Sequence, residues 1–419
     1  MGFRAYKYRI YPTTQQLELI DKTIGSSRFV YNMLLSDCKK QYEETGHSVV
    51  KSPAYLKTEY EWLKEVDSLA LCNAQMNLKT AYNKFFKKET NFPVFHSKKN
   101  SRQSYTTNNV NNSIRIENGK LKLPKLGLVK TVFHRYCYGK IKSATISKTK
   151  SGKYYVSILT EQSRPKIIES EMTGKTLGVD MSFHGDFAVY SDGKITNFPN
   201  YYLKAQRELA RLNRKFARTK PDSKNHYKLK LRIARYYEKL SNQLKDWHEK
   251  ESLRIAKEFD VITFEDINLK IMAQMGHGKK VFNNGFGRFR GLVERKSNEH
   301  LREFIKANKW FPSSQICNVC GFRNPITKNL QVLNYDCPKC GTRHNRDINA
   351  SKNLRLYGEI VSVTEVLTPK KSACGWDCKT CKKEFCSLIQ AGSCETSKIV
   401  TSNNLVIQVT SPCLQVEGS

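Results

Sequence analysis

The stretch SSQICNVCGFRNPITKNLQVLNYDCPKCGTRHNRDINA, residues 313–350, sets the reading of the whole chain. It holds two Cys-x-x-Cys knuckles, Cys317/Cys320 and Cys337/Cys340, separated by sixteen residues. A structural zinc ion takes four ligands in a tetrahedron. Two such knuckles joined by a short hairpin supply four thiolates at zinc-ribbon spacing. Gly321 and Gly341 each follow a knuckle, where the backbone must turn sharply, and Pro338 stiffens the second. Two disulfides or four buried thiols are the alternatives, and the spacing favours zinc over both. His344 is a substitute ligand by type, but its setting reads as surface. Asp347 follows in NRDINASKNL, an acid at the start of a helix whose Ala350 and Leu354 face inward.

Around that stretch lies a chain of 419 residues, enough for two to four domains with cores of their own. Lys and Arg number 72 against 38 Asp and Glu, a formal charge of +34 that suits a polyanionic partner. With 21 Tyr and 20 Phe the chain is no disordered basic tail, and basic plus aromatic character points to nucleic acid. No apolar run approaches the ~20 residues of a membrane span, so no membrane partner is expected. MGFRAYKYRIYP has no apolar core of a secretory signal. Thirteen cysteines, four of them in a zinc pattern, fit a reducing cytoplasm.

Taken in order, residues 3–11 (FRAYKYRIY) alternate as a strand with one basic face, and Thr13 or Thr14 caps a following helix. A second helical segment is expected over Leu56 to Lys88. Its Asn73, Gln75 and Lys79 can reach base edges or phosphates, though a plain polar face explains them as well. From Phe92 to Gln162 basic and apolar residues alternate as strands that close a small barrel with the N-terminal strand. Residues 201–257 read as a long helical pair turning at Pro221-Asp222-Ser223. Fifteen Lys and Arg face five acids between Tyr201 and Lys250, too lopsided for a merely solvated surface. Arg207, Arg211, Arg214, Arg218, Arg232 and Arg235 recur along it as phosphate contacts. A helix is expected from Arg288 to Lys309, leading into the cysteine stretch.

Three acids stand at element ends: Asp180 after the apolar run 177–179, Glu265 after 261–264, and Asp347. A carboxylate at the end of a buried strand is costly unless paired or metal-bound. Magnesium takes oxygen ligands, and a two-metal site needs several carboxylates converging from different elements. Taken singly, each acid serves a cap or turn equally well.

The order GVDMS (178–182), FED (264–266), two cysteine knuckles and NRDINA (345–350) resembles the RuvC-type nuclease of the TnpB family, the accessory proteins of bacterial insertion sequences related to miniature type V CRISPR effectors. YKYRIYPTTQQ (6–16), SRFVYN (27–32), LPKLG (123–127), SATISK with SGKYYVS (143–157) and WFPSSQ (310–315) resemble the same family, so the likeness covers residues 3–358. The resemblance implies an RNA-guided DNA endonuclease. Asp180, Glu265 and Asp347 would be its catalytic acids, holding Mg2+ or Mn2+, and Cys317, Cys320, Cys337 and Cys340 would bind Zn2+. It implies a guide RNA from the transposon end, a target DNA beside a short motif, and a separate transposase encoded nearby. The implied fold is α+β and multidomain. A β-barrel (1–13 and 92–170) carries a helical recognition insertion (14–91). An RNase H-like RuvC core (171–312 and 344–358) carries the inserted zinc ribbon (313–343).

Ser182-Phe183-His184 departs from the family pattern, and a loop position is expected for His184. Residues 359–419 hold Cys374, Cys378, Cys381, Cys386, Cys394 and Cys413, and their polar composition favours an unstructured tail over a second zinc site. Three other functions compete: a guided DNA-binding repressor without cleavage, a transposase proper, and a zinc-ribbon DNA-binding module. Intact acids count against the first, the lack of a His-x-His metal pair against the second, and the three carboxylates against the third.

Overall fold

The computed structural model describes residues 2–99, 103–162, 167–168, 170–182, 187–194, 196, 198–329, 331–367, 399–402, 405–410 and 413–418. The chain divides into two units, residues 1–165 with 214–238, and residues 166–213 with 239–419.

In the first unit β1 (Gly2–Tyr11) leads into α1 (Thr14–Thr45), α2 (Leu56–Glu59) and α3 (Ser68–Phe86). Six strands follow: β2 (Ser104–Asn108), β3 (Arg115–Glu117), β4 (Lys120–Leu123), β5 (Gly127–Val132), β6 (Lys140–Lys148) and β7 (Tyr154–Gln162). The alternation of β1 turns Tyr6, Tyr8 and Ile10 into a core with Ile146, Val156 and Ile158. On the opposite face Lys7 and Arg9 lie 4.5 and 5.1 Å from the centre of the Tyr155 ring. All seven strands form one sheet in the order β2-β6-β7-β1-β5-β4-β3. The expected barrel is therefore open in its hydrogen bonding, with β2 and β3 as edges among the described residues. Thr13 and Gln16 form a capping box at the start of α1, and Gly46, at φ 71°, ends it. The second helical segment is not continuous from Leu56: the chain leaves α2 at Tyr60, and α3 starts afresh where Asp67 accepts from the Leu69 N–H. Val30, Leu34 and Leu35 of α1 pack with Leu71 and Leu78 of α3.

The second unit is built on β8 (Thr176–Met181), β9 (Ala188–Tyr190), β10 (Val261–Glu265) and β11 (Glu303–Ala307), in the order β11-β10-β8-β9. β10 runs parallel to both neighbours, and β9 is antiparallel to β8. The long helices α4 (Tyr201–Ala217) and α5 (Lys224–Glu258), whose residues within 214–238 fall in the first unit, then the shorter α6 (Leu269–Met272), α7 (Gly278–Asn284) and α8 (Phe286–Glu299), connect the strands. Leu177, Val179, Ile262, Phe264, Phe286, Phe289 and Val293 form the core. Within it His248 is fully buried beside Phe187, Trp247 and Phe289. Burial, aided by the Arg288 charge, pushes His248 down to about 4.

The helix expected from Arg288 to Lys309 stops ten residues early. Leu301 takes a left-handed φ of 56°, and Glu303–Ala307 then joins β10 as a strand. Asp260 and Arg302 close the base of this sheet as a buried ion pair at 2.7 Å. The other Asp260 oxygen accepts from the backbone N–H groups of Thr173 and Gly174, at 2.7 and 2.6 Å.

β12 (Asn334–Asp336) and β13 (Arg343–Asn345) form the hairpin of the cysteine stretch, which runs into α9 (Arg346–Leu367). This helix extends past Gly358 to Leu367, nine residues into the range expected to be an unstructured tail. α9 lies across the sheet at two glycines. A β-carbon on Gly178 of β8 would fall 2.0 Å from the Ser351 oxygen, and one on Gly358 would fall 2.0 Å from Thr263 Oγ1. Further on, β14 (Ile399–Ser402), β15 (Leu405–Thr410) and β16 (Cys413–Gly418) pair antiparallel. Cys374, Cys378, Cys381, Cys386 and Cys394 lie outside the described residues, as does His184, so neither expectation about them meets the structure.

Candidate functional site

Asp180 is the penultimate residue of β8, Glu265 ends the neighbouring parallel β10, and Asp347 stands in the first turn of α9, which packs over β8. Parallel strands present their ends on one side, so the two strand-end acids come together there. The two carboxyls are close enough that each acts on the other's ionisation. Burial raises Asp180 well above the usual carboxylate range. The negative charges of Glu265 and then Asp347 raise it further, while Arg346 opposes the shift. Glu265 is also raised, chiefly by burial. Such a trio is short of positive charge. Arg346, almost fully buried, points its Nε and Nη2 at Asp347 Oδ1, at 3.3 and 3.2 Å. Sequence reading missed this arginine, although it stands beside the acid in the NRD motif. Asn345 caps α9 from the other direction, its Oδ1 accepting from the N–H groups of Asp347 and Ile348.

The four cysteines converge so that all four sulfurs lie within 4.8 Å of one another. Cys317 and Cys340 are 3.7 Å apart at sulfur, and Cys320 and Cys337 are 3.6 Å apart. A disulfide would need about 2.05 Å. A tetrahedron with metal–sulfur bonds of about 2.3 Å has edges of about 3.8 Å, so the spacing fits one zinc ion. The knuckles are built alike. Gly321 and Gly341, at φ 71° and 70°, donate back to the Cys317 and Cys337 carbonyls at 2.9 and 2.8 Å. Burial pushes the Cys317 thiol up to about 12, so a cation is needed to hold a thiolate there. His344 is not the surface residue expected: it is 7 % exposed, and its Nε2 lies 3.1 Å from Cys317 Sγ.

Arg207, Arg211, Arg214, Arg218, Arg232 and Arg235 are all solvent-exposed. Arg211 forms a two-pronged pair with Glu208 at 2.8 and 2.7 Å. Of the α3 residues, Lys79 is exposed, whereas the Asn73 amide donates to the Leu69 carbonyl and the Gln75 amide to the Val50 and Lys51 carbonyls. Gln75 thus ties α3 to the preceding loop. No described helix is long and apolar enough to cross a membrane.

Three family descriptions match the chain: "Helix-turn-helix domain" of the OrfB IS605 type over residues 1–47, "Probable transposase" of the same type over 157–276, and "Cas12f1-like, TNB domain" over 286–354. A Streptomyces pristinaespiralis protein named "Putative RNA-guided DNA endonuclease" is 30% identical over 371 residues, covering 85% of this chain and 89% of that protein. The Escherichia coli K12 protein "Putative RNA-guided DNA endonuclease InsQ" is 28% identical over 383 residues, covering 85% and 93%. Among solved structures, a Cas12f1–sgRNA–target DNA complex aligns over 85% of this chain and 99% of that one, with 14% identity and a TM-score of 0.32.

Proposed function

The chain belongs to the TnpB (OrfB) family, and from that premise we propose that it is an RNA-guided DNA endonuclease of a transposable element, cutting target DNA next to a short motif. The observation that carries the catalytic part is the charge-starved trio of Asp180, Glu265 and Asp347, brought together from two neighbouring parallel strands and the first turn of a helix. In this reading residues 171–312 and 344–358 form an RuvC-type nuclease domain, and the three acids would hold Mg2+ or Mn2+. When bound, such ions supply an activated water and stabilise the leaving 3′ oxygen in phosphodiester hydrolysis. Burial raises Asp180 and Glu265, and cations held there would favour their ionised forms. Arg346 holds the Asp347 carboxylate in place. Cys317, Cys320, Cys337 and Cys340 hold structural Zn2+ within the ribbon.

The exposed arginines of α4 and α5, with Lys79, bind phosphates of a guide RNA and its heteroduplex with target DNA. Base pairing then supplies the sequence specificity. The guide derives from the transposon end, a separate transposase is encoded nearby, and the protein works in the cytoplasm.

The test is to co-express the chain with its flanking DNA, sequence the RNA that co-purifies, and challenge the complex with plasmids carrying a matching target beside a randomised motif. Discrete RNA and magnesium-dependent, motif-dependent cuts are expected. Asp180→Ala, Glu265→Ala and Asp347→Ala should each abolish cutting and keep the RNA. Discrete RNA without cuts by the natural sequence would make the protein a guided repressor, and random RNA without cuts would sink the reading.

A further inference from the structure

We propose that Asn349, Asn353 and His344 are positioning residues that hook the first turns of α9 onto the first cysteine knuckle, so that the metal-bound ribbon sets where Asp347 stands. The two asparagines are four residues apart and share one face of the helix. Asn349, 1 % exposed, uses both ends of its amide: Nδ2 donates to the Ile316 carbonyl at 2.6 Å, and Oδ1 accepts from the Asn318 N–H at 2.9 Å. Asn353, 3 % exposed, donates to the Ser313 and Ile316 carbonyls at 2.7 and 2.6 Å. Ile316 thus accepts from both, and the next residue is the ligand Cys317. His344 meets that same cysteine at 3.1 Å from β13, three residues before Asp347.

The hook has a counterpart on the other side of the helix. Ser351 and Arg355 press on Gly178 of β8, two residues before Asp180. Ser351 is one helical turn beyond Asp347, so these residues carry the acid toward the sheet while Asn349 and Asn353 face the ribbon. α9 is therefore gripped from two sides. Only the ribbon grip depends on the metal, because bare thiols leave Ser313–Asn318 without the cross-link that fixes it. Buried amides that lose their partners do not stay put, since each unmet donor or acceptor must find water. Nothing in the cysteine pattern requires asparagine at 349 or 353, and the hydrogen bonds described for them go to backbone groups of residues 313–318. Coupling is the role the contacts assign them.

This inference rests on the nuclease reading, and its test separates the two. Complexes carrying Asn349→Ala, Asn353→Ala and the conservative Asn349→Ser are compared with the natural complex. Zinc content, bound RNA, cleavage at saturating target, and the Mg2+ concentration giving half-maximal cleavage are measured for each. Cleavage by the alanine variants should fall about 10- to 100-fold, the loss typical of groups that orient metal ligands. Their half-maximal Mg2+ should rise several-fold with zinc and RNA retained, and Asn349→Ser should recover part of the loss. An unchanged Mg2+ requirement in an alanine variant that keeps its zinc overturns the proposal, whatever its rate. So does parallel loss of zinc and RNA in all three variants, which would make the residues general to folding. Failure of the natural complex to cut would instead refute the nuclease reading.

Discussion

Gly178→Ala puts the helix–sheet contact to a direct test. Gly178 lies in the middle of β8, and an added β-carbon would stand 2.0 Å from the Ser351 oxygen and 2.4 Å from the Arg355 nitrogen. Both are backbone atoms of a helix and cannot swing aside as a side chain would. Ordinary contact needs about 3.5 Å, so α9 must retreat by about 1.5 Å or the strand must buckle. Overpacking of this kind costs about 1–3 kcal/mol. In a unit of this size that lowers the melting temperature by about 2–12 °C. Asp347, one turn before Ser351, travels with the helix away from Asp180. A misplacement of about 1 Å at a reacting centre costs about 100-fold in rate. Cleavage by the purified complex should therefore drop about 100-fold with bound RNA unchanged. Gly25→Ala is the control: its added carbon meets nothing within 4 Å in the middle of α1, and it should gain about 0.5–1 kcal/mol. Cutting at the natural rate by a Gly178→Ala complex with an unshifted melting temperature would refute the close approach and the placement of Asp347 that depends on it.

Three other outcomes are expected. Arg302→Met leaves Asp260 buried and uncompensated and should cost about 3–5 kcal/mol in urea unfolding, with part recovered on adding Asp260→Leu; a loss under 1 kcal/mol would contradict the burial of the pair. Cys317→Ser should lower zinc content and the melting temperature together, and unchanged values of both would count against the metal site. His248 is held at about 4 in the folded chain, below its ordinary 6.5. The unfolded chain therefore takes up a proton that the folded one refuses. Stability attached to this group is full above pH 6.5 and is lost as pH falls toward 4, at up to about 1.4 kcal/mol per pH unit. His248→Phe should flatten this part of the melting-temperature profile, and an equally steep profile would place the acid sensitivity elsewhere.

Much of the site could be read without a fold. Cysteine spacing is a local property, because two residues between ligands and a glycine after each pair already dictate the knuckle. The strand at residues 3–11 and the cap at Thr13 are local in the same way, as periodicity and capping act over a few residues. The acids could be singled out because each follows an apolar run or opens a helix. What stayed hidden depends on partners distant in the chain. Glu303–Ala307 looks like the last turns of a helix until β10 offers a parallel edge and Leu301 breaks the helical path. His344 looks like a surface residue until the first knuckle, 27 residues earlier, folds over it. Gln75 looks free to read bases until the loop at Val50 and Lys51 claims its amide. Sequence alone thus singled out Asp180, Glu265, Asp347 and the four cysteines as the candidates. Only the tertiary structure decided that Asp180 and Glu265 are buried side by side, that Arg346 is buried against Asp347, and that glycines at 178 and 358 let α9 come close enough to join them. Those relations are set by strand register and helix–sheet packing, which no short-range pattern encodes.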